Sequence, residues 1–315
     1  MSEPISMLGI ASAQLALIVA LAPGVNGVVK RLKAILQGRR GPPLLQSYFD
    51  LIKLLRKDVA LSEHASPVFL WAPAVYAAAF ATTALLVPVL WSPAPLAGWA
   101  DAIALVGLLA LARFALSLAG LDTASAFGGM GSSREVAIAA LAEPALLLAI
   151  VAVAWRSGGT DISGVSGWLV AHGAAALAPS QLLAAGALLI AVIAETGRVP
   201  VDNPDTHLEL TMAHEGMLLE YSGRLLGVLL WASAVKQLVL FSLVIALFAP
   251  FGLAFTSAEV PFALAAFVLK LGALALLIAL IESSSAKLRI LKIPELLGAA
   301  AALATLALIA EVVVG

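Results

Sequence analysis

The strongest constraint on this chain is a set of eight long apolar stretches. They lie at about 6–29, 68–91, 100–120, 135–155, 180–195, 225–249, 260–281 and 295–314. Each approaches the ~20 residues that an α-helix needs to cross a hydrocarbon core about 30 Å thick. Only 12% of the residues are charged and 62% are hydrophobic, whereas soluble domains carry about 25% charged residues. The expected fold is all-α: a single polytopic membrane domain over 1–315 with eight transmembrane helices. The fifth stretch is the shortest, and its helix is expected to reach back toward Ala174. No Lys or Arg precedes the first stretch, so it is read as a retained span rather than a cleaved signal.

Charge placement sets the expected orientation. Fourteen Lys and Arg residues fall in alternate loops. Lys30, Arg31, Lys33, Arg39, Arg40, Lys53, Arg56 and Lys57 lie in the first, Arg134 in the third, Arg198 and Arg224 in the fifth, and Lys287, Arg289 and Lys292 in the seventh. The loops on the other side hold Arg156 alone. Cationic loops stay in the cytoplasm, which puts both termini outside. A net charge of −1 gives no case for nucleic acid as a partner; membrane lipids are expected. The chain has no cysteine, so thiolate-held metals and iron–sulfur clusters cannot be built from its own side chains.

The first cytoplasmic loop, 30–66, contains GPPLLQSYFDLIKLLRKD, with Leu and Ile at roughly helical spacing among Gln46, Asp50, Lys53, Arg56 and Lys57. This pattern predicts an amphipathic helix at the membrane surface, either resting on lipid or covering a partner or an opening between helices.

The loop at 195–224, ETGRVPVDNPDTHLELTMAHEGMLLEYSGR, departs most from the oily background. It holds Glu195, Asp202, Asp205, Glu209, Glu215 and Glu220, with His207 and His214. Asn203-Pro204 reads as a helix start, and a helix is expected from Pro204 to Tyr221. Its polar and apolar stripes alternate around the axis, which suits burial among other helices. Glu195 and Arg198 are spaced to pair at i,i+3. Within the spans lie Arg113, Glu143, Lys236 and Lys270, with Glu135 and Glu282 near span ends. Charges at bilayer depth are costly, usually pair, and mark ion or proton paths; static salt bridges between helices are the plain alternative.

The remaining motifs exclude other chemistry. His214-Glu215 begins like HExxH, but Leu218 stands where the second histidine belongs, so no zinc-protease site forms. Neither a P-loop nor GxGxxG occurs. Gly128, Gly129 and Gly131 in AFGGMGSSREV are read as a flexible or tightly packed loop. No metal site is expected.

Several of these segments carry a family resemblance. ETGRVPVDNPDTHLEL resembles the ETxRxPxDxPxxxxEL signature of the complex I membrane-arm subunit 1 family, and EYSG at 220–223 matches its closing motif. QGRRGPPLLQSYFDLIKLLRKD and SREV at 133–136 are similar to the family's first-loop and fourth-span motifs. Two features depart from the quinone-reducing branch: the longer TMAHEGMLL and the seventh loop, AKLRILKIPELLG. Both look more like the membrane subunits of energy-converting nickel–iron hydrogenases, of the formate hydrogenlyase kind.

That resemblance implies a subunit without a redox centre in a bacterial or archaeal cytoplasmic membrane. Its implied partners are a [NiFe] hydrogenase with large and small subunits, an iron–sulfur subunit and an antiporter-like membrane subunit. The [NiFe] and iron–sulfur cofactors would reside in those partners. The expected ion path uses Glu195, Asp202, Glu209, Glu215, Glu220, Glu135, Glu143, Lys236, Lys270 and Arg113. Arg198, Arg39, Arg40 and Asp50 would position charge or partners. A quinone-site subunit and a purely structural anchor remain open at this point.

Overall fold

The computed structural model describes residues 7–173, 178–202 and 212–314. Among them there is no strand, and eleven α-helices account for the architecture: α1 Met7–Leu36, α2 Gln46–Leu55, α3 Pro67–Leu86, α4 Ala102–Asp122, α5 Ala126–Ala154, α6 Ile162–His172, α7 Pro179–Glu195, α8 His214–Leu218, α9 Gly223–Phe248, α10 Val260–Ser284 and α11 Ile293–Val314. Seven helices are long and apolar enough to cross a membrane, α1, α3, α4, α5, α9, α10 and α11. The chain is an integral membrane protein. Helix α7 is apolar but has 17 residues.

Helix starts follow local chemistry. Ser66 caps α3 by accepting from Val68 N at 3.1 Å, with Pro67 in the first turn. Ser66 N also donates to Asp122 at 2.7 Å, tying the start of α3 to the end of α4. Asp101 caps α4 through Ile103 N, and Asp161 caps α6 through Gly164 N. Helix α6 was not anticipated; its 11 residues span about 16 Å, too short to cross and too short to declare itself as a separate apolar run.

Helix α9 is the centre of the bundle: from Ala234 to Leu247 only Val244 is not buried. It packs on α1, α2, α3 and α7, while α10 leans on α1 and α11 lies against α5 and α7. At one end, backbone bonds tie 90–92 to 254 and 100–102 to 160–162. At the other end, the segments 57–60, 196–202, 220–222 and 285–292 gather. There Ser222 exchanges hydrogen bonds with Ala60, and Leu288 N donates to Pro200 O at 2.9 Å. Gly223, at φ +51°, starts α9 where a Cβ would stand 2.2 Å from Asp58 O, so the turn and the contact both require glycine.

Three local expectations need correction. Gly128, Gly129 and Gly131 lie inside α5, which starts at Ala126 rather than 135. Two of them are closely packed: a Cβ on Gly128 would sit 2.2 Å from Gly120 O on α4, and one on Gly131 would sit 2.8 Å from Ala213 O. The glycines were misread because low helix propensity stands out in sequence while the packing that overrides it does not. Second, α8 ends at Leu218, and Leu219 and Glu220 form a turn instead of continuing to Tyr221. Residues 204–211 of the expected helix lie outside the described residues, as do His207, Asp205 and Glu209. Third, Glu195 and Arg198 do not pair. Glu195 is the last residue of α7, and the chain turns at Gly197 with φ +59°, so the i,i+3 geometry is lost.

Candidate functional site: a buried row of paired charges

Arg113, on α4, is the hub of the deeper group. Its guanidinium reaches Glu143 and Glu195 by direct hydrogen bonds, and its Nε lies 3.6 Å from Glu135. Glu135 and Glu143 are eight residues apart on α5, so a single extended guanidinium spans about two turns of that helix. Lys236, from the middle of α9, places its Nζ 3.2 Å from Glu195 Oε2 and 5.8 Å from the centre of the Phe80 ring. Four helices thus converge on five charges. Glu195 has a fully enclosed side chain; Oε2 takes both cations while Oε1 accepts no hydrogen bond.

A second group begins one step along α9. Gln237 accepts from Arg198 at 2.6 Å, and Arg198 also donates to Glu282 at 2.6 Å and to Asn26 at 3.0 Å. Lys33, from α1, stands 3.3 Å from Glu282. A third pair, Lys287 with Asp202 at 3.2 Å, lies nearer the loops, and Asp202 also accepts from Ala213 N. Arg134 donates to Met212 O at 3.1 Å. Taken together, Arg113, Lys236, Arg198, Lys33 and Lys287 face Glu135, Glu143, Glu195, Glu282 and Asp202. The row is balanced as a whole, yet its deep end holds three carboxylates against two cations.

A cavity of about 520 Å³ opens alongside this row. Its wall includes Glu135, Glu195, Arg198, Asp202, Glu215 and Lys236. Lys30, Ser47, Asp50 and Leu51 contribute from α1 and α2, and Tyr76, His214 and Ser233 from α3, α8 and α9. Helix α2 covers its flank with Tyr48 hydrogen-bonded to Ala20 O, and it exposes Phe49, Ile52 and Leu55.

Other expected site residues stand apart. Glu220 is exposed and does not line the cavity. Lys270 turns to the far end of the bundle, where it donates to Ala249 O and Phe251 O at the close of α9. Arg39 and Arg40 are exposed. Sequence reasoning noted Glu282 only as a span-end charge and Lys33 only as a loop cation, and passed over Asn26, Gln237, Tyr76 and Ser233. A Gln directly beside an intramembrane Lys was a usable signal; the rest depend on long-range packing. Among the described residues no three His, Asp or Glu side chains come together as a metal ligand set.

The family described as NADH dehydrogenase matches residues 8–314. The chain is 37% identical to formate hydrogenlyase subunit 4 of Escherichia coli K12, over 86% of this chain and 88% of that one. It is 36% identical to hydrogenase-4 component C of the same organism, over 77% and 75%. The fold superposes with a TM-score of 0.85 on a chain from the structure of the membrane-bound sulfane sulfur reductase, an archaeal respiratory membrane complex. That match is at 20% identity and covers 98% of this chain and all of the other. The chain belongs to the NADH dehydrogenase family, the membrane subunits similar to complex I subunit 1.

Proposed function

We propose that the chain is the non-catalytic membrane subunit of an energy-converting hydrogenase complex, which docks a peripheral [NiFe] and iron–sulfur module and couples its turnover to proton or sodium movement. The relatives named for formate hydrogenlyase and hydrogenase-4 support the class of complex. With no cysteine in the chain, the clusters belong to partner hydrogenase and iron–sulfur subunits, and an antiporter-like subunit lies beside this one in the membrane. In this reading α7 completes eight spans, both termini are outside, and the segments 30–66 and 195–224 face the cytoplasm under the docked module. In the same reading Arg39 and Arg40, both exposed, meet that module.

The observation that carries the reading is the excess carboxylate at the deep end of the row. Three carboxylates and two cations carry a net charge of −1, so one bound proton makes the group neutral. Charge enclosed at low dielectric is expensive. Loading and unloading one cation therefore shifts the energy of the group strongly, and a change in the loops can drive it. The path runs from Glu215 and Asp202 in the cavity wall, past Arg198 and Glu282, to Glu195, Glu135 and Glu143 with Lys236.

The test is ion movement by the purified complex in proteoliposomes. A Glu195→Gln complex should keep hydrogenase activity toward a soluble viologen and lose coupled translocation. Normal translocation by assembled Glu195→Gln complexes would reject the path. A purely structural anchor gives the opposite pattern, with weaker assembly and normal pumping in what assembles. A quinone-site reading has one observation in its favour: the cavity reaches α2 at Ser47, Asp50 and Leu51. It requires inhibition by quinone analogues.

A further inference from the structure

The HE pair at 214–215 finds no use as a metal motif, yet the structure gives His214 specific partners. Its Nε2 lies 3.3 Å from Ser233 Oγ on α9. Ser233 Oγ lies 3.2 Å from Tyr76 Oη on α3. The Tyr76 and His214 rings are 6.5 Å apart between centroids. Tyr76 is 2% exposed, and Ser233 is its hydrogen-bond partner. Ser233 lies one turn before Lys236 and Gln237, on the same helix as the anchors of both charge groups. All three side chains line the 520 Å³ cavity together with Glu135, Glu195 and Lys236. Ser and Thr hydroxyls in an apolar span are ordinarily satisfied within their own helix, as Thr83 and Ser242 are. Ser233 instead bridges Tyr76 on α3 and His214 on α8.

We infer that His214, Ser233 and Tyr76 form a proton relay between the 212–222 segment and the buried carboxylates. The inference rests on the coupling role given above and identifies how a proton enters the row. Imidazole is the side chain suited to exchange protons near neutral pH. A proton leaves His214 Nε2 for Ser233 Oγ as the Ser233 hydroxyl proton passes to Tyr76 Oη. The Tyr76 proton passes to water in the cavity and on to the carboxylate of Glu195 or Glu135. Each hydroxyl gives up one proton and gains one, so the net result is neutral imidazole and a carboxylic acid. Because α8 carries His214 and packs on α5 through Gly131 and Gly216, movement of the segment under a docked module makes or breaks the first link.

The test uses the intact complex in proteoliposomes, with proton movement read by an enclosed pH dye and turnover read separately with viologen. His214→Ala, Ser233→Ala and Tyr76→Phe should each slow translocation by on the order of tenfold or more and leave viologen turnover unchanged. Ser233→Thr keeps a hydroxyl and should retain translocation. Added imidazole should restore the His214→Ala complex, and pyrrole, which cannot carry the proton, should not. Wild-type rates in Ser233→Ala and Tyr76→Phe would overturn the relay. So would failure of imidazole alongside rescue by pyrrole, which marks a space-filling role. If wild-type complex moves no ions, the coupling role fails; if it does and the relay variants match it, only the relay fails.

Discussion

Replacing either member of the Arg113–Glu195 pair tests whether the deep charges act as a counted group. At an effective dielectric of about 20, unit charges 3.2 Å apart, the spacing of Lys236 and Glu195, attract by roughly 5 kcal/mol. At 3.6 Å, the spacing of Arg113 and Glu135, the figure is about 4.6 kcal/mol. Desolvation offsets much of this in the intact protein, but deleting Arg113 takes the cation from Glu135 and Glu143, and deleting Glu195 takes the carboxylate from Lys236; an enclosed charge stripped of its partner costs about 3–5 kcal/mol. The count of charges then decides the order. Arg113→Met leaves three carboxylates with Lys236 alone and moves the sum from −1 to −2, so the full penalty applies. Glu195→Gln moves the sum from −1 to 0 and keeps a side chain of the same shape, so about half that loss is expected. The assay is thermal unfolding of the detergent-purified complex, with Arg113→Lys as a charge-preserving control. Arg113→Met should melt lowest, then Glu195→Gln, with Arg113→Lys between Glu195→Gln and wild type. A Glu195→Gln complex less stable than Arg113→Met would refute the reasoning.

Three further outcomes follow from other parts of the fold. Gly131→Ala should destabilise by about 1–3 kcal/mol, since its Cβ would meet Ala213 O at 2.8 Å, whereas Gly107→Ala, with open space around it, should be neutral or stabilising; paired melting curves check the contrast. Glu311, held by Ser180 and by Arg156 at 3.5 Å, lies at the opposite end of α7 from Glu195, so Glu311→Gln should lower the melting temperature slightly while translocation stays in the wild-type range. Burial, with a smaller contribution from Asp122, raises the Tyr221 phenol above its ordinary value. The neutral phenol therefore contributes stability that is complete below the unfolded pKa near 10 and is lost as pH rises beyond it. Tyr221→Phe, which gives up the 2.9 Å bond to Phe69 O, should cost about 1 kcal/mol and flatten that alkaline loss in melts taken between pH 8 and 11.

The apolar runs were legible because burial in lipid demands nearly uniform composition over a helix length, and composition is a local property. Seven of them reappear as helices able to cross a membrane. Which charges would meet was harder to read. Arg113, Glu143, Lys236 and Glu195 stood out singly, since each breaks an apolar run, and the structure brings these four together. Lys270 stood out for the same reason yet turns to the far end, because a long flexible stem lets its ammonium reach the carbonyls that close α9. Arg198 was matched to Glu195 by spacing alone. The left-handed turn at Gly197 undoes that spacing and hands Arg198 to Glu282, 84 residues away. Tyr76 and Ser233 gave no local signal, since their link to His214 depends on three helices packing side by side.

The central claim is that a cation loaded onto the Glu135, Glu143 and Glu195 group crosses the membrane as the docked module turns over. The most direct measurement is the ratio of protons or sodium ions moved to hydrogen formed, in proteoliposomes holding wild-type or Glu195→Gln complex. A fixed non-zero ratio in wild type, falling to zero in Glu195→Gln while hydrogen formation with viologen continues, is the expected result. The same non-zero ratio in both complexes would contradict it.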